Sequence, residues 1–302
     1  MRRKLVLAAV LAILSAAGSH PALAENLLGA DQGKILLTAG FSDYEGTGGG
    51  GLVPLAFITG YGSSDSWGAN AHYTSILLKD IRLDAYGVAA GLWDRVEVSY
   101  VHHELEFADG ALDGLGVSDD VFGVKVKLFG DAIYNQDSWI PQLAVGAQYK
   151  DNDGIHDGAS VGLPDLTSPV QLGAEDDSGV DYYLAATKVF LAQSLAVNLT
   201  LRYTEANQFG LLGFGPDAEL VPEATIAWLL SRKLAIGAEY RDRPDNLAAD
   251  DESAAWDVFV AWTPTHNISL VAAYLNIGSV LAPVTGETAD QDGAYLSLQV
   301  GF

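Results

Sequence analysis

The chain has no cysteine, a single methionine, and only 16 lysine and arginine residues against 39 aspartate and glutamate residues in 302 positions. Lack of cysteine removes disulfides, thiolate metal sites and cysteine nucleophiles. A formal net charge of −23 excludes nucleic acid as a partner, because phosphate recognition needs clustered Lys and Arg. Histidine is scarce, and beyond residue 24 there are only His72, His102, His103, His156 and His266. No Gly-x-Ser-x-Gly elbow and no His-Glu-x-x-His zinc motif occurs. These absences argue against an enzyme and call for no cofactor. Long apolar runs are missing too. The stretch from Leu5 to Ala17 falls short of the roughly twenty residues a spanning helix needs, and nothing downstream approaches that length. Any membrane residence is therefore as a closed barrel, the other architecture that satisfies every backbone polar group in lipid.

Met1-Arg2-Arg3-Lys4, the apolar stretch and Ala22-Leu23-Ala24 before Glu25 have the layout of a secretory signal peptide with an A-x-A cleavage site. Residues 1–24 are expected to be a leader, and 25–302 a single barrel domain. Loss of the leader's three basic residues leaves thirteen against the same 39 acids, a net charge of −26 over 278 residues.

What is present is alternation. From Gln291 to Phe302, Ala294, Leu296, Leu298, Val300 and Phe302 share one face, while Gly293, Tyr295, Ser297, Gln299 and Gly301 share the other. A period of two is a strand. Further back, segments of about ten to twelve residues recur, with connections that alternate in length. Short turns fall at Trp93-Asp94, Leu191 to Gln193, Ser231 and Pro264-Thr265. Longer Asp-, Gly- and Pro-rich connections fall at 108–118, 151–178, 207–218, 243–252 and 278–290. This is the layout of a transmembrane barrel with short periplasmic turns and long acidic extracellular loops. Eleven strands are expected from residue 81 onward. Candidates at 34–43, 52–61 and 68–78 raise the total to fourteen. Twelve follows if the first two form a lumenal or periplasmic segment, and 52–61 is apolar on both faces. A phase slip near His102-His103 suggests a bulge.

Aromatic placement indicates which face meets lipid. Tyr149, Tyr203, Tyr240 and Tyr274 lie on apolar faces near long loops, and Trp228, Trp262 and Phe302 lie on them near the short-turn rim or the terminus. Two aromatic belts bounding an apolar band match the two interfaces of a bilayer. The apolar faces are expected to point outward, in the outer membrane of a Gram-negative bacterium after signal-peptide cleavage.

The last strand resembles the assembly signal of bacterial outer-membrane barrels, with Phe302, Val300 and Leu298 as its apolar positions and Ser297 where many carry glycine. Gly48-Gly49-Gly50-Gly51-Leu52-Val53-Pro54, with Ile58-Thr59-Gly60-Tyr61-Gly62 and the later Leu92-Trp93-Asp94-Arg95-Val96-Glu97-Val98-Ser99-Tyr100, resembles a proteobacterial outer-membrane β-barrel family of unknown function. The resemblance implies location and architecture and carries no catalytic residue. The barrel-assembly machinery, periplasmic chaperones, outer-membrane lipid and lipopolysaccharide are the partners it implies.

With apolar faces outward, the lumen is expected to receive Arg82, Arg95, Lys125, Lys127, Arg202, Lys233 and Arg241, opposed by Asp84, Glu97, Glu223 and Glu239. Opposed charge rows of this kind select small hydrophilic solutes in a narrow porin-like channel. The same charges pairing with one another would instead close a structural or adhesive barrel whose acidic loops hold ions or lipopolysaccharide. An outer-membrane hydrolase is a further alternative. Asp151, Asp153 and Asp157 weakly resemble a calcium loop without its twelve-residue pattern. His102-His103-Glu104 reaches a metal with both histidines only through a bulge, because adjacent strand residues point to opposite faces.

Overall fold

The computed structural model describes residues 40–60, 64–286 and 289–302. Twelve antiparallel strands close into a barrel in sequence order. They are β1 (Trp67–Leu78), β2 (Ile81–Leu92), β3 (Val96–Phe107) and β4 (Gly116–Phe129). Next come β5 (Gln142–His156), β6 (Ser178–Phe190), β7 (Leu195–Ala206) and β8 (Phe214–Ser231). The wall ends with β9 (Leu234–Arg241), β10 (Ala255–Trp262), β11 (Ile268–Asn276) and β12 (Asp292–Gly301). The seam joins β1 to β12, with Asn70 opposite Gly301 and Leu78 opposite Gly293. Beyond the last strand, Ala69 and Phe302 exchange both backbone hydrogen bonds. Closure leaves no unpaired edge.

The expectation of fourteen strands is corrected to twelve. The eleven strands from residue 81 and the one near 68–78 are wall strands. The described parts of the other two segments, 40–43 and 52–60, are not; 34–39, Tyr61 and Gly62 lie outside the described residues, as do residues 1–24, expected to be a leader. Residues 40–60 form a chain of turns inside the lumen. Protein neighbours on every side, some polar and some apolar, rather than lipid on one and water on the other, account for the missing alternation in 52–60.

Side-chain direction follows the period of two. In β7, Leu199 is 68% exposed and its neighbour Thr200 is 1% exposed. Leu201 and Tyr203 share Leu199's outward face, while Asn198 and Arg202 point inward. In β4, Phe122 and Val124 face out and Lys125 faces in. Aromatics mark both edges of the outward band. Trp228, Trp262 and Trp93 are exposed toward one rim, and Tyr149, Tyr203, Tyr240 and Tyr274 toward the other. Water would not favour this much exposed apolar surface on a folded wall, and a bilayer does.

The rule of short turns on one rim and long loops on the other has two exceptions. The tight Lys79–Asp80 turn lies on the long-loop rim, and residues 130–141 make a longer connection on the opposite one. No register shift occurs at His102-His103, where both pairings of β3 run uninterrupted. The apparent slip there is a change in what the outward face carries, from valine and tyrosine to His102, Glu104 and Glu106. Irregularities lie instead in the β4–β5 pairing, at Ser118/Asp119 and Lys127/Phe129, in β7–β8 at Thr204/Ala206 and in β8–β9 at Leu229/Ser231.

Candidate functional site in the lumen

Residues 40–60 enter the barrel as a Gly-rich plug. Their internal bonds are those of tight turns: Asp43 N–H donates to the Thr47 carbonyl at 2.8 Å, and Gly50 N–H donates to Val53 at 2.9 Å. So open a chain must find its remaining partners on the wall. Gly48 N–H and Thr59 N–H donate to the Glu97 carboxylate at 2.8 and 2.7 Å. Gly51 and Leu52 N–H donate to Glu239 Oε2 at 2.6 and 2.7 Å. Ala56 is held by Thr187 and Gln142, and Pro54 by Thr200. Lys125 Nζ donates to the Gly48 carbonyl at 2.7 Å and lies 3.1 Å from Glu97.

Glycine is required where the plug meets Glu239. A Cβ on Gly50 would stand 1.9 Å from Glu239 Oε1. The four consecutive glycines let the backbone amides, rather than side chains, reach the wall carboxylates.

Glu45 carries the plug's charge into the centre of the barrel. Its carboxylate lies 2.5 Å from Lys150, 2.7 Å from Arg241 and 3.4 Å from Arg202. Arg202 also meets Asp181 at 3.1 Å and Glu223 at 2.5 Å. Three cations thus share three carboxylates across β5, β6, β7, β8, β9 and the plug. Asp43, Glu239 and Asp257 have no Lys or Arg within 4.0 Å among the described residues, and both oxygens of Asp257 lack a hydrogen-bond partner there. The middle of the lumen therefore holds more carboxyl groups than cations.

Apolar layers lie on both sides of this charged section. Toward the long loops, Ile76, Leu83, Phe107, Val117 and Leu275 of the wall pack with Phe209, Leu211 and Leu212, leaving a void of about 40 Å³. Toward the short turns, Leu55 and Phe57 of the plug meet Leu229, Phe259 and Val271 around a void of about 60 Å³.

The long loops lock onto one another above the first layer. Gln208 donates through Nε2 to Asp250 at 2.7 Å and through its backbone N–H to Glu252 at 2.7 Å. Arg243 donates to Gln208 Oε1 at 2.5 Å and to the Ile277 carbonyl at 2.6 Å, and Leu281 N–H donates to Asp250 at 2.7 Å. Burial raises the Glu252 carboxyl to about 8 despite Arg243 at 3.5 Å. Burial likewise raises Asp250 and lowers Arg243. Phe209 dips from this lock into the lumen with Arg241 and Arg243 over its ring, 4.7 and 4.8 Å from the centroid.

The structure gathers Glu97, Lys125, Arg202, Glu223, Glu239 and Arg241 inside the barrel. Arg82 and Asp84 depart from the sequence expectation: both lie on the outward phase of β2, with Arg82 Nε donating to Asp84 at 3.1 Å. Their segment is apolar on its inward face, because there the lumen is packed by the loop core rather than by water. Arg95 and Lys233 sit in exposed rim turns, bonded to the carbonyls of Lys127 and Leu128 and of Pro264. Lys127 pairs with Asp94 at 2.6 Å near the same rim. Asp151 and Asp153 belong to β5 rather than to a loop, and Asp157 lies beyond its end. Glu45, Lys150, Asp181 and Asp257 were not singled out from sequence. Lys150 and Asp181 occupy inward phases of their strands and were legible in principle, whereas Glu45 gains its role only from the plug's path.

A family model described as a protein of unknown function (DUF3034) matches residues 38–299. The chain belongs to the DUF3034 family. Among solved structures, this DUF3034 protein is similar to the KdgM porin, with 10% identity over 77% of this chain and 99% of that one and a TM-score of 0.48. It is also similar to the outer membrane phospholipase A from Escherichia coli, with 9% identity over 80% and 94% and a TM-score of 0.42. An outer membrane channel from Pseudomonas putida F1 matches with 12% identity over 90% and 98% and a TM-score of 0.41. At that distance the likenesses say nothing about activity. No curated protein matches the sequence.

Proposed function

We propose that this DUF3034 protein is an outer-membrane channel for small hydrophilic solutes, closed at rest by its own segment 40–60. The observation that carries the reading is that a Gly-rich segment separate from the wall, docked on wall carboxylates through its backbone amides, fills the charged middle of the bore. Barrels of this size need a filling if they are not to conduct. A filling of buried ion pairs gains little stability over an apolar one. Its advantage is that the wall left behind is already polar and hydrates readily when the plug leaves. The surplus of carboxyl groups around Asp257 and Glu239 supports cation preference in the open form. Export through residues 1–24, and reading of Phe302, Val300 and Leu298 by the assembly machinery, belong to the same proposal.

A second reading is a permanently sealed structural or adhesive barrel, favoured by the apolar layer of Phe209, Leu211 and Leu212 beneath the loops. Planar-bilayer recording separates the two. Wild type is expected to be silent with rare openings, and a variant lacking residues 41–58 to conduct steadily with a cation-selective reversal potential. If that variant folds, as shown by faster gel migration unboiled than boiled, yet stays as silent as wild type, the sealed barrel is the correct reading.

A further inference from the structure

The outward wall of β2 to β5 changes character near the long-loop rim. Along β3 the outward positions run Val98, Tyr100, His102, Glu104 and Glu106, from apolar to charged. Adjacent strands add Asp84, Ser118, Asp120, Asp151 and Asp153. Tyr73 and Tyr86 stack with centroids 5.2 Å apart, and Tyr100 and Phe122 with centroids 5.0 Å apart, so the patch begins where the aromatic belt ends. That height is the headgroup layer of the outer leaflet.

Within the patch, His102 Nδ1 lies 2.8 Å from Asp120 Oδ1, and Tyr100 OH donates to the same oxygen at 2.9 Å. His102 Nε2 lies 3.7 Å from Glu104. Asp153 is brought in by the register shift in which Ser118 pairs with Gly154 and Asp119 with Asn152, leaving Asp153 as the extra residue of a bulge. Bulges re-aim side chains in this way. One ligand atom from each of His102, Asp120 and Asp153 lies within 4.8 Å of the others. His102 and Asp120 are 5% and 8% exposed, although both point away from the lumen.

We propose that His102, Asp120 and Asp153 form a binding site for a divalent transition-metal ion, with zinc as the reference ion, on the outer wall of the barrel. An imidazole with two carboxylates suits zinc and its neighbours rather than calcium, which takes six to eight oxygens. Three protein ligands leave a coordination position open toward the headgroup layer. His156, 2.9 Å from Ser118 through Nε2, lies beside the site and is not assigned as a ligand. Of Asp151, Asp153 and Asp157, Asp153 is the one that joins this grouping among the described residues. The site is independent of whether the lumen opens.

The test is equilibrium dialysis of the untagged, detergent-solubilised protein against Zn²⁺ at micromolar concentration. Wild type is expected to retain one equivalent. His102→Ala and Asp153→Asn are expected to weaken binding at least tenfold, while His266→Ala on the opposite rim leaves it unchanged. A hundredfold excess of Ca²⁺ should not displace the ion. Less than a tenth of an equivalent on wild type, equal binding by Asp153→Asn, or displacement by Ca²⁺ would overturn the assignment. Asp153 is exposed at a bulge, so its variant keeps the test decisive if His102→Ala fails to fold.

Discussion

Replacing Gly50 with alanine should unseat the plug while leaving the barrel intact. The new Cβ would stand 1.9 Å from Glu239 Oε1, so the carboxylate or the plug must move by more than 1 Å to reach ordinary contact. Glu239 is not free to swing away. Thr225 donates to Oε1 at 2.7 Å, and Gly51 and Leu52 donate to Oε2 at 2.6 and 2.7 Å. Hydrogen bonds to a charged group are worth about 1.5–3 kcal/mol each, so losing the two amide bonds weakens docking by about 3–6 kcal/mol. At 1.4 kcal/mol per factor of ten, the docked-to-undocked ratio falls by roughly 10² to 10⁴. Amide hydrogen exchange at Gly51 and Leu52 reads that ratio directly, and open time in a planar bilayer reads its consequence. Gly116→Ala is the control, because a Cβ there has its nearest neighbour at 3.6 Å. Unchanged exchange at Leu52 in folded Gly50→Ala protein would refute the close fit of plug and wall as the source of closure.

Two further outcomes separate wall, plug and loops. Leu199→Arg should impair folding into lipid vesicles, since an outward Arg near the bilayer midplane costs about 2–4 kcal/mol; Thr200→Arg should insert but lose the Thr200 bond to the Pro54 carbonyl and displace the plug, and the reverse ranking in a vesicle-folding assay would invert the assignment of faces. The loop lock should weaken as pH rises, because a Glu252 pKa of about 8 in the locked state, above its usual 4.5, means that the locked state holds the proton more tightly. Protection of the Gln208 and Leu281 amides, corrected for intrinsic exchange, should therefore be greatest below about pH 4.5 and fall until about pH 8; Glu252→Gln should flatten the profile, and protection that increases with pH would contradict the sign.

Alternation along the chain picked out the twelve strands of the wall, although the sequence also offered 34–43 and 52–61 as strands. Leu199 and Thr200, or Val124 and Lys125, declare their faces by being neighbours of opposite polarity, and lipid on one side enforces that choice residue by residue. Aromatic position settled the sense of the barrel for the same reason, since the bilayer interface selects Tyr and Trp wherever a strand crosses it. Charge on an inward phase likewise identified Lys125, Arg202, Glu223 and Glu239. These features are local, or repeat with a fixed period, and a sequence displays both. The tertiary structure decided what has no period. Residues 40–60 carry no alternation because their partners surround them, so only the folded lumen shows that Glu45 meets three cations and that Gly50 abuts Glu239. Arg82 and Asp84 were misplaced because the lumen's loop end is packed with apolar side chains, which inverts the polarity rule over one stretch of β2. The grouping of His102 with Asp120 and Asp153 likewise depends on strand register and one bulged residue, quantities fixed only when three strands align side by side.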